Sequence, residues 1–503
     1  MCGIAGEYGQ HRPDEAIRML ARLEHRGPDD QGGVRVNGSW LGHTRLSIVD
    51  VEGGRQPLTT PGRELYLVGN GEVYNHEQVR ETLDDSAYST RSDNEVALHL
   101  IDQRGPQALG ELEGMFAFLV AGQDGSFVAA RDPVGIKPLY WARRGSHVRF
   151  ASEMHAFDPH WMPYVEPFPP GFYWTPADGL QRFARAVPDR DPPPNTDEPW
   201  TDADLERVRD VLIASVHRQL MGDVPVGVFL SGGLDSTLIA AIAARELAQD
   251  GQTLQTFAVG TEGSPDLLAA RVAAKHIGSE HRERLYTQGR ALNTVESVVR
   301  SIEHFDPSLV RSAVPNYLLA EMTARHVKVV LTGEGADELF AGYEYLREIE
   351  DPHELHDELE RTVSSLHNLN LQRADRVTMA HGLEARVPFL DREVIGLALD
   401  LPATWKIPAG GHQEKQLLRE AFAGWLPEEL LWREKAQFGD GSGAADVLTD
   451  GLEDKVTREE FEAEKDALDP PLRTLEELHY FRVFSEHLPG IRPEKTVARF
   501  ATA

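Results

Sequence analysis

A single cysteine stands at position 2 of the 503-residue chain. Removal of Met1 would make Cys2 the N-terminal residue, so that one residue would carry both a thiol and a free α-amino group. An α-amine that titrates near pH ~8 can accept the thiol proton. The placement predicts a nucleophile that needs no separate histidine. The alternative is an incidental thiol in a frayed terminus.

A second candidate site is the turn Ser231-Gly232-Gly233-Leu234-Asp235-Ser236. It follows an apolar run, 224–230, and precedes a helical pattern from Thr237 to Leu247. Strand, glycine-rich turn and helix in this order direct backbone N–H groups toward an anion. The carboxylate of Asp235 would repel a phosphate unless a cation lies between them. The turn therefore predicts a nucleotide phosphate with a divalent metal, Mg²⁺. An ordinary strand-to-helix turn is the alternative.

A third polar segment, residues 332–343, follows the apolar run 327–331. It holds several carboxylates among glycines, which pack poorly and suit a metal or phosphate site. We expect Asp337 to share Mg²⁺ with Asp235, and Glu334 to face the position where an acyl group is activated. An acidic helix N-terminus, favoured by the helix dipole, is the competing interpretation. In segment 432–441, Lys435 is a candidate to stabilise charge on a reaction intermediate.

The elements that position these residues fall into two domains. The proline- and acid-rich stretch 188–199 separates them, which predicts domains at 1–190 and 200–503. In the second, apolar runs alternate with helical patterns, so we expect a parallel α/β sheet with ligands at the carboxyl ends of its strands. The residues after Leu230, Val259 and Leu331 should then converge.

Composition limits the function classes. The net charge of −30 disfavours nucleic acid and anionic membrane surfaces as partners. We expect no transmembrane helix, because the apolar runs are too short. The start of the chain lacks a signal peptide, which predicts a cytoplasmic protein.

Several polar residues of the first domain follow Cys2 in a suggestive order. Arg45 stands in an alternating, strand-like run, 41–50. Asn70 and Gly71 end another strand pattern that begins at Leu65, and Asp93 lies where a helix is expected to begin, with Ser92 or Asp93 as N-cap. Singly, these residues suit an ion pair, a hairpin turn and a helix cap.

In that order behind Cys2, they resemble a class II glutamine amidotransferase domain, an N-terminal-nucleophile αββα sandwich of the α+β class. The resemblance implies that Cys2 is the nucleophile, that Asn70 and Gly71 form the oxyanion hole, and that Arg45 binds the glutamine carboxylate. The glutamine-binding residues that it implies are Arg45, Leu46, Ser47, Ile48, Val49, Asn70, Gly71, Glu72 and Asp93.

The turn at 231–236 resembles the PP-loop of ATP pyrophosphatases. With Cys2, Ser264-Pro265-Asp266-Leu267, the 333–338 segment and the 382–391 loop, the whole chain resembles the glutamine-hydrolysing asparagine synthetase family. Glu334 would then support formation of β-aspartyl-AMP, and Arg311 would lie on a loop that handles pyrophosphate. The implied ATP-binding residues are Leu230, Ser231, Gly232, Gly233, Asp235, Ser236, Val259, Thr332 and Gly333.

This resemblance implies a two-site enzyme that uses glutamine, ATP and aspartate, with a homodimer fitting the family. Three alternatives stay open at this point. An amide ligase of secondary metabolism would act on another carboxylic acid. A β-lactam-forming synthetase would need no ammonia, and the full glutamine pocket argues against it. A non-catalytic nitrogen sensor would bind glutamine and ATP without releasing AMP or pyrophosphate.

Overall fold

Antiparallel strands make up most of the first region of the chain. The computed structural model describes residues 2–9, 12–62, 64–84, 88–187, 189, 196, 198–407, 413–434 and 455–500. The elements of the first region are β1 (Cys2–Tyr8), α1 (Pro13–Ala21), β2 (Asp30–Val36), β3 (Ser39–Arg45), β4 (Leu58–Thr59), β5 (Leu65–Val73), α2 (His76–Thr82), α3 (Glu95–Arg104), β6 (Gly114–Gly122), β7 (Phe127–Arg131), β8 (Tyr140–Arg144), β9 (His147–Ala151), β10 (Val165–Pro167), β11 (Phe172–Thr175) and β12 (Gly179–Arg182).

These strands form two six-stranded sheets, in the orders β10-β8-β9-β1-β3-β2 and β12-β11-β7-β6-β5-β4. A buried apolar cluster that includes Ile4, Leu119 and Phe150 contains residues of both sheets. A second cluster joins the β4–β7 sheet to α2 and α3. A third joins α1 and strands of the other sheet to helices of the second region. The predicted αββα sandwich is confirmed, and the second region shares in covering one of its outer faces.

The second region alternates strands with helices. Its elements are α4 (Asp202–Gln219), β13 (Val226–Phe229), α5 (Leu234–Gln249), β14 (Gln255–Gly260), α6 (Pro265–Ile277), β15 (Glu280–Leu285), α7 (Gln288–Ile302), α8 (Pro307–Thr323), β16 (Val329–Leu331), α9 (Ala336–Leu339), α10 (Pro352–Ser365), α11 (Asn370–Met379), β17 (Glu384–Arg386), α12 (Arg392–Asp400), α13 (Gln416–Ala421), α14 (Glu428–Leu431), α15 (Arg458–Glu464), α16 (Leu475–His487) and α17 (Pro493–Thr496).

The strands of this region form one parallel sheet in the order β15-β14-β13-β16-β17. The register aligns Val228 with Leu331 and Phe229 with Phe257, so β13, β14 and β16 end at the same edge. The predicted parallel α/β architecture is confirmed. Among the helices that the structure describes, none is long and apolar enough to cross a membrane.

Two segments differ from the sequence-based prediction. Arg311 lies within α8, not on a loop. Asp306 caps this helix by accepting from the Leu309 N–H, and the helix continues through Pro315, which is buried. The expected 382–391 loop contains β17, one of the two edge strands of the parallel sheet. Its charged side chains, Glu384 and Arg386, are buried, and the hydrogen bond from Arg386 Nε to Glu384 Oε1 at 2.6 Å offsets the cost of burying them.

Candidate active sites

Cys2 begins β1 and lies opposite Arg45 in the antiparallel pair β1–β3. The thiol is buried, and the backbone N–H of Cys2 donates to Asn70 Oδ1 at 3.0 Å. Burial raises the pKa of the thiol, although the Leu46 backbone N–H and the charge of Arg45 act in the opposite direction. A base must therefore take the thiol proton before the sulfur can attack.

Asn70 and Gly71 lie inside β5, next to the N-terminus of β1. Asn70 is buried, and its Nδ2 has no hydrogen-bond partner among the described residues. A buried donor without an acceptor costs free energy, so this amide is placed to serve a ligand oxygen. Gly71 cannot be replaced freely, because an added Cβ would lie 1.9 Å from the carbonyl oxygen of Met115.

Arg45 organises the turn that follows β3. Its guanidinium donates to the carbonyl oxygens of residues 49, 50 and 51 at 2.7–3.3 Å. The Ser47 N–H donates to Asp29 Oδ2 at 2.7 Å, and the Ile48 carbonyl accepts from Asp223 of the second region at 2.9 Å. Residues 46–49 thus form an ordered turn directly after the strand residue that faces Cys2.

Asp93 and Glu72 are both buried, and Glu72 follows Gly71 in β5. Asp93 Oδ2 accepts from the Val73 N–H at 2.7 Å, so its carboxylate is bound to β5. It does not cap α3: the N-cap is Asn94, and neither Ser92 nor Asp93 has that position. Burial, followed by the charge of Glu384, holds the pKa of Glu72 well above its usual range. Glu72 therefore faces the junction of the two regions.

The turn at 231–236 joins β13 to α5. Gly233 is the N-cap of α5, and in the described structure no side chain caps this helix. The Gly233 N–H donates to Ser231 Oγ at 3.3 Å, and Ser231 Oγ lies 2.9 Å from Ser236 Oγ. Gly232 has a φ of +73°, and an added Cβ would lie 2.5 Å from the backbone nitrogen of Ala270. The turn thus packs tightly against α6.

A cavity of about 870 Å³ lies at the carboxyl ends of β13, β14 and β16, and its size suits a bound nucleotide. The predicted site residues that line it are Leu230, Ser231, Gly233, Asp235, Ser236, Val259, Arg311, Thr332, Gly333, Glu334 and Asp337. The expected convergence of the strand ends is therefore present, and Gly232 supports the turn against α6.

Lys415 lies between the two predicted metal ligands. Its Nζ is 2.7 Å from Asp235 Oδ2 and 2.5 Å from Asp337 Oδ1. Burial lowers the pKa of Lys415, but the charges of the two aspartates outweigh burial and raise it. No local sequence pattern indicates Lys415, because its contact with Asp235 joins segments 180 residues apart.

Glu334 forms an ion pair with Arg373 of α11, which also donates to Ser312 Oγ at 2.7 Å. Close by, Tyr343 Oη donates to Glu338 Oε1 at 2.5 Å. Burial, followed by the charge of Asp337, raises the pKa of Glu338 to about 7. The sequence did not indicate Arg373 or Glu338 either. Arg373 contacts Glu334 across 39 residues of chain, and Glu338 is one of several carboxylates in the acidic segment 334–338.

Two further predicted residues have different outcomes. Arg311 lines the cavity, where its guanidinium engages Glu476, with Nε 3.1 Å from Oε1. Lys435 lies outside the described residues, so its role stays a prediction. Nearby Arg433 lines the cavity and donates to Asp266 Oδ1 at 2.9 Å.

One buried apolar cluster connects the two sites. From the first region it includes Leu46, Met115 and Ile136, and from the second it includes Val228 and Leu230. Leu46 adjoins the Cys2 site, whereas Leu230 precedes the PP-loop. The fold and its two sites define a class: ligases in which a glutamine amidotransferase domain serves an ATP-cleaving synthetase domain.

Comparisons with known proteins narrow this class. A family described as "Glutamine amidotransferase domain" matches residues 1–167, and one described as "Asparagine synthase" matches residues 207–351 and 345–482. Asparagine synthetase [glutamine-hydrolyzing] 3 of Arabidopsis thaliana is 40% identical over 91% of this chain and 82% of its own length. Asparagine synthetase [glutamine-hydrolyzing] 1 of Saccharomyces cerevisiae is 38% identical over 99% of this chain and 95% of its own length.

A probable asparagine synthetase [glutamine-hydrolyzing] of Schizosaccharomyces pombe is 38% identical over 97% of this chain and 94% of its own length. The two family matches include the Cys2 region and the PP-loop region, respectively. The chain belongs to the glutamine-hydrolysing asparagine synthetase family.

Proposed function

We propose that this protein makes L-asparagine from L-aspartate, with ammonia from L-glutamine and energy from ATP. Glutamate, AMP and pyrophosphate are the other products. The observation that carries the proposal is the pairing of two sites in one chain. The Cys2 N–H donates to Asn70, whose Nδ2 has no partner among the described residues, and a buried apolar cluster links this site to the PP-loop cavity.

In the first half-reaction, the Cys2 sulfur attacks the side-chain amide carbon of glutamine. The α-amine that is exposed when Met1 is removed takes the thiol proton. Asn70 Nδ2 and the Gly71 N–H stabilise the negative oxygen of the tetrahedral intermediate. Ammonia leaves, and water then hydrolyses the thioester to glutamate. Arg45 and Asp93 are the proposed partners of the glutamine carboxylate and ammonium, because both are buried, Arg45 opposite Cys2 and Asp93 bound to β5.

In the second half-reaction, the aspartate β-carboxylate attacks the α-phosphorus of ATP and pyrophosphate leaves. The uncapped start of α5 and the serines of the PP-loop support phosphate binding there. Asp235 and Asp337 are suited to hold Mg²⁺, since both already direct oxygens at one cationic centre, Lys415 Nζ. When bound, Mg²⁺ would neutralise phosphate charge. Glu334 and Lys435 are proposed to support the acyl-transfer steps.

The link between the half-reactions must keep ammonia unprotonated. Ammonium is not a nucleophile, and bulk water near neutral pH would protonate most free ammonia. The apolar cluster that contains Leu46, Met115 and Leu230 supplies buried, water-poor surroundings between the sites. We infer that ammonia travels along this cluster and displaces AMP from β-aspartyl-AMP. A homodimer and a cytoplasmic location stay predictions from the sequence.

The decisive experiment supplies glutamine and Mg-ATP with a panel of carboxylic acids. Amide, AMP and pyrophosphate are measured together. The proposal expects L-aspartate to be the preferred acid, with one AMP and one pyrophosphate for each asparagine. Preference for a different acid would make the protein a related amide ligase. Binding of glutamine and ATP without release of AMP or pyrophosphate would identify a sensor.

A further inference from the structure

Three histidines and two glutamates meet at the junction of the two regions. His25 lies in a short 3-10 turn (24–26), and Glu153 and His155 follow β9. Glu303 comes directly after α7, and His487 ends α16. We refer to these five residues as the junction cluster. Two sets within it, His25-Glu153-His155 and His155-Glu303-His487, each bring three ligand atoms within 4.8 Å of one another.

The two oxygens of Glu153 face different partners. Oε1 accepts from Arg26 at 2.5 Å and lies 2.7 Å from Arg376 Nη1. Oε2 lies 3.1 Å from His25 Nε2 and 3.4 Å from His155 Nδ1. The guanidinium groups therefore neutralise one side of the carboxylate and leave the other side directed at two imidazole nitrogens.

The orientation of His155 is determined by the backbone. Its Nε2 lies 2.9 Å from the carbonyl oxygen of Arg22, which can only accept, so Nε2 carries a hydrogen. Its Nδ1 faces Glu303 Oε1 at 2.9 Å and Glu153 Oε2 at 3.4 Å. A cation is needed among these three electron-rich atoms, and it is either a proton on Nδ1 or a metal ion. An imidazole whose second nitrogen donates to a carbonyl is the usual arrangement of a metal-binding histidine.

The spacing and charge of the cluster suit a metal. Tetrahedral Zn²⁺ with bonds of about 2.0–2.1 Å places neighbouring ligand atoms roughly 3.3 Å apart. The distances from Glu153 Oε2 to His25 Nε2 and His155 Nδ1, 3.1 and 3.4 Å, match that value. Within this set of ion pairs, Glu153, Glu303 and Asp375 face two guanidiniums, so one negative charge is left for a proton on His155 or a metal ion to balance.

We propose that the junction cluster is a site for Zn²⁺ or a similar borderline divalent metal, bound by His25, Glu153 and His155. Glu303 or His487 supplies the fourth ligand. His25 is 34% exposed, which gives the ion a route from solvent. Bound metal would fasten the first region to α7 and α16. It would also stiffen Arg26, whose Nε donates to the Cys2 carbonyl oxygen at 3.0 Å.

The test measures Zn²⁺ binding to the metal-stripped, full-length Cys2→Ser protein, because the Cys2 thiol is itself a ligand for soft metals. Competition with a chromophoric chelator should give one tight Zn²⁺ per chain. His155→Gln and His25→Gln should each weaken this binding by about tenfold or more. Co²⁺ in the same protein should give the visible bands of a tetrahedral complex, and both substitutions should remove them.

The matched control is His217→Gln. His217 Nδ1 lies 2.8 Å from Glu246 Oε2, so it is an imidazole paired with one carboxylate outside the cluster. This variant should bind Zn²⁺ like its parent. Cooperative thermal unfolding of each metal-free variant verifies that it is folded. Zn²⁺ should raise the Tm of the parent and of His217→Gln, but not the Tm of His25→Gln or His155→Gln. No tight binding, or tight binding unchanged in His25→Gln and His155→Gln, would overturn the proposal and leave a proton as the occupant.

Discussion

The two candidate active sites differ in how they hold charge. In the Cys2 site, Cys2, Arg45 and Asn70 lie within or at the ends of strands, and Asn70 Nδ2 has no partner among the described residues. In the PP-loop cavity, charged groups pair with one another. Lys415 bridges Asp235 and Asp337, and Arg373 holds Glu334.

This difference matches the substrates that we propose. An amide carbonyl develops one negative oxygen during attack, and a rigid donor stabilises it without reorganisation. Mg-ATP instead brings several charges, so the cavity must exchange its internal ion pairs for contacts with the ligand. We therefore expect substitutions in the first site to remove one chemical step cleanly. Substitutions in the second should affect chemistry and the balance of charges together.

Cys2→Ala should have the largest effect. It removes the only thiol of the chain, so glutamine-dependent asparagine synthesis should fall by about 10⁴-fold or more. Synthesis from ammonium salts should stay within about twofold of wild type, because the PP-loop cavity is untouched. Parallel assays with the two nitrogen sources measure this separation. Equal loss of both activities would contradict the division of labour between the sites.

Glu334→Ala should give the reverse pattern. We expect aspartate-dependent exchange of labelled pyrophosphate into ATP to fall by about 10²–10³-fold, the range for loss of one transition-state contact. Glutaminase activity should survive. Glu344→Ala is the control, since Glu344 is an exposed carboxylate that lines the same cavity. Exchange that persists in Glu334→Ala would show that the role assigned to Glu334 is wrong.

Asn70→Ala should lower glutaminase kcat by about 10²-fold through loss of one oxyanion donor. The KM for glutamine should change less, because the contact strengthens only as the oxyanion forms. Ammonia-dependent synthesis should be unaffected.

Asn75→Ala provides the comparison for Asn70→Ala. Asn75 Nδ2 already donates to the Glu111 carbonyl at 2.9 Å, so it is not available as an oxyanion donor, and its loss should leave kcat near wild type. A similar decrease in both variants would indicate damage to the fold. A KM effect without a kcat effect in Asn70→Ala would remove the oxyanion role.

The sequence predicted the parts of these sites that depend on local order. Cys2 at the start of the chain and the hexapeptide at 231–236 each carry their chemistry in consecutive residues. The parallel sheet followed from alternating patterns, and shared strand ends placed Val259 and Thr332 in one cavity. The start of α5 was expected at Thr237 but occurs at Leu234, because the glycine turn leads directly into the helix.

What local patterns could not predict are contacts between distant segments. Charged residues in 382–391 indicated a loop, but Glu384 and Arg386 neutralise each other inside a strand. Arg311 was expected on a loop, but it lies in α8, which continues through the buried Pro315. No sequence motif indicates Arg373, because its ion pair with Glu334 joins segments 39 residues apart. Domain bounds at 190 and 200 stay predictions.

The smallest expected effect is on the pH dependence of stability, and it tests whether water reaches the interior of the first site. His43 lies in β3, two residues before Arg45, and its side chain is only 1% exposed. Burial, with the charge of Arg45 as the next cause, lowers the pKa of His43 to about 3. In the unfolded chain this histidine titrates near ~6.5. Between these pH values the unfolded state binds the additional proton, so stability rises with pH and is lost as pH falls below about 6.5.

At pH 5, His43 should lower the free energy of unfolding of the first region by about 2 kcal/mol relative to neutral pH, since each pH unit contributes ~1.4 kcal/mol. His43→Gln keeps a polar side chain that does not titrate, so its stability should depend less on pH in this range. The measurement is the urea midpoint for loss of glutaminase activity at pH 7.5 and pH 5, for both proteins. The midpoint of wild type should fall further than that of His43→Gln. Equal decreases would mean that His43 is hydrated, and the contrast between a dry first site and an ion-paired second site would then be weaker.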